Sequence, residues 1–204
     1  EDGPTHHGVF DIAYLRSIPM MTVTAPMDEC ELRNLMYTAS LGGRGPFSIR
    51  YPRGRGVSTD WRKPFREIPI GKGRMLREGD RIAVISVGPV GNTVAKVIEQ
   101  AAAEGIEAGH ADLRFIKPLD DTLLEHIADR YRQVITVEDG GVDGGAGSAI
   151  LEWFGRRGYP IPIRMLGVPD RFVQHGSIGE LQRICGFDAE GILAAIRKFA
   201  DETF

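Results

Sequence analysis

Residues 2–8, DGPTHHG, put a carboxylate, a Gly-Pro turn and two adjacent histidines into one short stretch. Gly3-Pro4 forces a turn, so the side chains that follow are presented on a loop of set shape. An imidazole beside a carboxylate can pass a proton or hold a substrate hydroxyl, which makes His6 with Asp2 the first candidate pair. Neighbouring residues normally point in different directions, which leaves room for one of His6 and His7 to face a cavity while the other faces solvent. Consecutive histidines lack the spacing that aims two nitrogens at one ion, and no metal pair is indicated. A surface loop with incidental histidines accounts for the composition of this stretch at least as well.

The stretch SIRYPRGRG holds Arg50, Arg53 and Arg55. Arg50 and Tyr51 belong to a strand, and Arg53 follows Pro52, past its end. Ligands of open parallel sheets bind just beyond the carboxyl ends of the strands. A planar guanidinium there suits a phosphate, which it grips with two parallel hydrogen bonds. Exposed arginines opening a linker are the competing account. A third stretch, VEDGGVDGGAGSAI, enters a helix through glycines. Gly144, Gly145 and Gly147 lack the spacing of a dinucleotide fingerprint, and no P-loop lysine accompanies them. Close helix–sheet packing explains them better, and Glu138 and Asp139 at the strand end argue against a bound anion. In LGVPDRFVQHGS, Asp170, Arg171 and His175 suit a contact loop at an interface, with no catalytic spacing. His110, His126 and His175 are scattered and are expected to be structural or surface residues.

Hydrophobic spacing supplies the scaffold for these groups. Val9, Ile12, Ala13 and Leu15 mark one helical face, ended by Pro19. MTVTAP is a strand. A helix over MDECELRNLMYTASL is expected to face inward through Leu32, Leu35, Met36 and Ala39 and to stop at Gly42-Gly43. PFSIRYP is the next strand. Residues 56–68, polar and broken by Gly and Pro, form an interdomain linker that Trp61 and Phe65 pack along a surface. Beyond Gly71, GRMLRE and RIAVISVG are two strands joined in a hairpin at Glu78-Gly79-Asp80. A helix follows with Val94, Val97, Ile98 and Ala101 inward and Gly105 as its stop. IEAGHADLRF is a strand, DDTLLEHIADRY a helix and QVITVED a buried parallel strand. GAGSAILEWFGRRG, IGELQRICG and DAEGILAAIRKFA are helices, with the strand IPIRMLGV after the first. The alternation predicts an α/β chain: a partial unit over residues 1–55, then a doubly wound, mostly parallel sheet domain over 69–204.

A length of 204 residues allows one large domain, or a small piece plus a domain. With 42% hydrophobic and 26% charged residues the composition is that of a globular protein. A net charge of -3 gives no general electrostatic case for nucleic acid or an anionic membrane. No apolar run approaches the roughly 18 residues of a membrane span. Cys30 and Cys185 lie far apart in half-apolar helical settings and are expected to be small buried thiols, which fits a reducing, cytoplasmic protein.

Five of these pieces, DGPTHHGVFDIAYLRSIP, YPRG, FIKPLD, VED with GGAGSAI, and GVPDRF, together resemble the 1-deoxy-D-xylulose-5-phosphate synthases of the thiamine-diphosphate-dependent transketolase superfamily. The resemblance runs over nearly the whole chain. It implies the end of a pyrimidine-binding domain, residues 1–55, and a whole transketolase-type C-terminal domain. The first domain, with its metal motif, and the cofactor-activating glutamate would lie elsewhere, so the chain is expected to be a fragment, inactive and cofactor-free alone. The implied reaction of the intact homodimer condenses pyruvate with D-glyceraldehyde 3-phosphate and releases CO₂, using thiamine diphosphate and Mg²⁺, for isoprenoid and thiamine synthesis. By the same resemblance His6 is the active-site histidine, Asp2 lies near the sugar acceptor and Arg53 holds the acceptor's phosphate. The alternatives are a transketolase, a 2-oxoacid dehydrogenase β-subunit, or a non-catalytic α/β dimerisation module.

Overall fold

The computed structural model describes residues 3–57 and 62–202; Asp2 and Trp61, both singled out above, lie outside them. The first helix, α1 (Asp11–Ser17), buries Ile12 to 1% exposure, and its end is closed by the Ile18 N–H on Leu15 O, with Pro19 next. Strand β1 (Thr22–Thr24) lies parallel to β2 (Phe47–Ile49). Between them runs α2 (Glu29–Ser40), capped by the Asp28 carboxylate, which accepts from Glu31 N–H at 2.8 Å.

The inward face of α2 is not the expected one. Glu31, Leu35 and Thr38 are buried, while Met36 is 59% exposed. The helix is rotated because two of its buried partners are polar. Glu31 meets arginines from the second half of the chain, and Thr38 Oγ1 accepts from Ile68 N–H at 2.9 Å. The run before Ile68 lies along α2. Phe65 stacks on Tyr37 with ring centroids 5.3 Å apart, under the Arg33 guanidinium at 4.0 Å. Ile68 itself joins Leu35 and Phe115 in a small buried cluster.

The expected hairpin is absent. Strands β3 (Arg74–Arg77) and β4 (Ile82–Val87) do not pair; β5 (Gly109–Asp112) lies between them, antiparallel to β3 and parallel to β4. The turn at Gly79 carries the chain across the end of β5 so closely that a Cβ there would sit 2.2 Å from Gly109 N. Asp80 N–H donates to Glu107 O at 2.8 Å, fixing that crossing. The stretch IEAGHADLRF also divides. Arg114 takes a left-handed backbone, φ 55°, and swings the chain into a separate strand, β6 (Phe115–Lys117). That strand leaves the large sheet and pairs antiparallel with β1.

The large sheet has the order β3-β5-β4-β7-β8, with β7 (Gln133–Gly141) parallel to both β4 and β8 (Ile163–Val168). Helices α3 (Gly91–Ala103) and α7 (Ala189–Asp201) cover one face, and α4 (Asp121–Arg130) and α5 (Ala146–Arg157) the other. Helix α3 buries Val94, Val97, Ile98 and Ala101, as its spacing predicts. Val94, Val97 and Ile98 each contribute about 1.5–3 kcal/mol when fully removed from water, Ala101 less. Helix α6 (Ile178–Cys185) follows β8 and begins with a capping box of Ser177 and Glu180.

A charged joint ties the two halves. Arg74 reaches Asp112 at 3.0 Å and Glu31 at 3.3 Å, and Arg114 reaches Glu31 at 2.6 Å. Burial drives the Asp112 carboxyl up to about 6, against the pull of Arg74 and Arg114. Beside it on β5, His110 bonds Ser86 Oγ at 2.8 Å, and burial, reinforced by Arg74, pushes the imidazole down to about 4. His110 is thus a neutral, structural histidine, as expected.

Candidate functional site

A cavity of about 850 Å³ opens where the carboxyl ends of β2, β7 and β8 meet the Pro4–Phe10 loop and the loop between β8 and α6. Its placement follows the rule that open α/β sheets leave a crevice beyond their strand ends. Arg50, just past β2, organises the wall. Its Nε donates to both Asp11 carboxylate oxygens at 2.9 and 2.8 Å, and its Nη2 donates to the Asp139 carbonyl at the end of β7. One guanidinium therefore clamps the start of α1, the end of β2 and the end of β7. An arginine so committed is a positioning group, and the sequence reading gave it no such task.

Of the two histidines, His7 lines the cavity and His6 is exposed. His7 Nε2 donates to Val173 O at 3.0 Å, tying the histidine loop to the loop after β8. His6 sits on a turn closed by its own N–H on Gly3 O, and its Nδ1 lies 2.9 Å from Thr5 Oγ1. Asp2, its expected partner, lies outside the described residues. Arg53 lines the cavity on the far side of Pro52 and is exposed. Arg171 lines it too, donating to Ile184 O at 3.0 Å.

Asp139 brings a half-buried carboxyl to the same cavity. Burial raises its pKa, and Asp11 adds to the rise. Arg50, a hydrogen bond from Gln182 and the nearby His7 oppose it. Sequence reasoning treated Asp139 only as a reason against anion binding. Its position toward the end of a buried parallel strand was the signal that could have placed it in a site.

The glycine loop before α5 holds no room for a ligand anion. Glu138 turns its own buried carboxylate onto the helix N-terminus, accepting from Ala146 and Gly147 N–H groups at 2.8 Å each. A Cβ on Gly145 would sit 2.4 Å from that carboxylate, and one on Gly147 2.6 Å from Thr136 Oγ1. The glycines are packing residues, as expected. Neither cysteine is in a disulfide, and both are half-buried where full burial was expected.

Two family descriptions match the chain: the transketolase C-terminal domain over residues 71–192, and the transketolase pyrimidine binding domain over residues 1–57. The chain belongs to the transketolase family. The large sheet with its antiparallel edge strand β3 is the transketolase C-terminal domain, and α1, β1, α2 and β2 are the matched part of the pyrimidine binding domain. Among curated transketolase-family relatives, the 1-deoxy-D-xylulose-5-phosphate synthase of Bacteroides fragilis is 56% identical over 199 residues, 97% of this chain and 31% of that protein. The Phocaeicola vulgatus synthase is 56% identical over 200 residues and the Aquifex aeolicus synthase 47% over 199, with 32% and 31% of those proteins covered. The chain thus spans about a third of the length of these relatives. A solved split-gene transketolase, described as an inactive β4 tetramer, superposes with a TM-score of 0.80 at 29% identity, over 96% of this chain and 62% of its own.

Proposed function

We propose that this chain is the substrate-facing and C-terminal part of a 1-deoxy-D-xylulose-5-phosphate synthase, and is inactive alone. The whole enzyme condenses pyruvate with D-glyceraldehyde 3-phosphate and releases CO₂. The observation that carries this reading is 56% identity to such a synthase across 97% of the chain. Arg53 presents its guanidinium at the cavity rim, where a phosphate's oxygens accept two parallel hydrogen bonds. His6, exposed on its fixed turn, is offered to a site completed by chain beyond these residues, where it passes a proton to or from a substrate oxygen. Asp2 binds an acceptor hydroxyl in the same reading.

Thiamine diphosphate with Mg²⁺ supplies the decarboxylating chemistry in this reading. The described residues do not fit that group. Glu138 fills the glycine-loop N-terminus, and among them no cluster of three His, Cys, Asp or Glu side chains is placed to hold a metal ion. In this reading the diphosphate and metal are held by the remaining part of the enzyme, a cytoplasmic homodimer. Among the described residues no helix is long and apolar enough to cross a membrane. A free-standing dimerisation module would leave residues 1–55 as a loose tail. Against that, β1 is hydrogen-bonded to β6 and Arg50 is clamped to β7.

The test uses the full-length enzyme. Arg53→Ala raises KM for glyceraldehyde 3-phosphate far more than KM for pyruvate; equal effects on both remove the phosphate role. His6→Ala lowers kcat/KM by about 10²–10⁴-fold. A rate close to wild type returns His6 to the status of a surface residue.

A further inference from the structure

Helix α1 has a second cavity on its other face. While Asp11 and Tyr14 border the cavity described above, Ala13, Arg16 and Ser17 border a cleft of about 620 Å³ between α1, the turn after β6 and helix α5. Six charged side chains line it: Arg16, Lys117, Arg156 and Arg157 against Asp121 and Glu152. The lining itself carries two more positive than negative charges, with Glu125 just outside it 3.9 Å from Arg157. Both lining carboxylates are already committed. Glu152 takes Arg16 at 2.7 Å and shares itself with Arg156 at 3.6 Å, while Asp121 accepts from the Trp153 indole at 2.7 Å and pairs with Arg157 at 3.0 Å. The Lys117 ammonium is fixed by the carbonyls of Arg16 at 2.9 Å and Ile18 at 2.6 Å. Those bonds orient the ammonium without cancelling its charge, and they use two of its three N–H donors. The Arg156 side chain is 79% exposed.

We propose that this cleft is a binding site for a small organic phosphate monoester. A doubly charged phosphate suits that charge: its oxygens accept from the third Lys117 N–H and from the Arg156 fork, while Arg16, whose Nη groups are held by Glu152 and Gly144 O, adds its charge to the wall. The cleft is larger than a bare phosphate needs, and Pro118, Leu119 and Ala149 give it an apolar wall for the organic part. The two cavities meet at α1 but share no lining residue, and Arg53 and the histidine loop border only the first, so this site stands apart from that reading.

Titration calorimetry of the 204-residue chain with phenyl phosphate tests it, with inorganic phosphate as the tail-free comparison. The expected result is one saturable site, with phenyl phosphate bound more tightly than phosphate. Arg156→Glu and Lys117→Met each weaken it about tenfold or more, the loss of one charge-assisted contact. Arg53→Ala leaves it unchanged. Arg156 is exposed, so its variant keeps the fold. The proposal is overturned by no saturable binding at millimolar phenyl phosphate. It is overturned equally by binding that survives Arg156→Glu and disappears in Arg53→Ala, which would place the anion in the first cavity.

Discussion

Replacing His110 by Gln tests the buried joint through pH. Gln keeps a polar group within reach of Ser86 Oγ, the partner of His110 Nε2 at 2.8 Å, and removes the titrating ring. In the folded chain His110 is held down to about 4 from an ordinary 6.5. Between those values the unfolded chain binds a proton that the folded chain refuses, so acidification costs stability there. At pH 5 the unfolded imidazole is mostly protonated and the folded one is not. One pKa unit corresponds to about 1.4 kcal/mol, so the wild type loses about 2 kcal/mol between pH 7 and pH 5 through this residue. His110→Gln loses none of it. Asp112 works in the opposite sense: its carboxyl, raised to about 6, adds stability below its unfolded pKa of 3.8 and gives it up as pH rises through about 6. In the wild type the two slopes largely cancel over this window. In the variant the Asp112 slope stands uncovered. Urea denaturation at pH 7 and pH 5 reads the result as a difference between the two proteins, in which groups common to both drop out. The expected stability difference moves by about 2 kcal/mol in favour of the variant on acidification. Parallel pH curves for the two proteins would refute the reasoning.

Two further substitutions address the packing that holds the cavity walls. Glu138→Ala strands the Ala146 and Gly147 N–H groups under α5 and should cost about 2–4 kcal/mol in denaturant unfolding, with Glu138→Gln losing less because its amide oxygen still accepts one bond. Equal losses for both would show that the carboxylate is not the cap it is taken to be. Phe115→Ala opens a hole between Leu35 and Ile68 and should cost about 3–5 kcal/mol by the same measurement; a loss under about 1 kcal/mol would mean that this cluster does not join the two halves.

The helices and the central strands were legible because their apolar spacing matches what they bury. Helix α3 is the clearest case, its four expected residues all facing the sheet. The misreadings share one cause, a polar partner or backbone conformation that hydrophobic patterning does not register. Helix α2 turned toward arginines, exposing Met36. The strand IEAGHADLRF broke where Arg114 adopts a left-handed backbone, and the expected hairpin gave way to a β5 that arrives from about thirty residues further along. Non-local pairing of this kind leaves little local trace. At the site, Arg53 and the histidine loop announced themselves by residue type. Arg50 and Asp139 did not, and Arg171 was expected only in a contact loop, because their roles depend on elements that meet only after folding.

Strand β6 makes the two family-matched stretches inseparable in practice. By sequence, residues 115–117 belong to the stretch matched as the C-terminal domain; by hydrogen bonding they complete the three-stranded sheet of the other. Cutting the chain between residues 57 and 71 would leave each product with an open strand edge, one on β1 and one on β6. Open edges recruit foreign strands. A protease nick in that connecting run should therefore leave two pieces that stay together through dilution and gel filtration, and recombinant halves purified apart should aggregate alone and regain solubility on mixing.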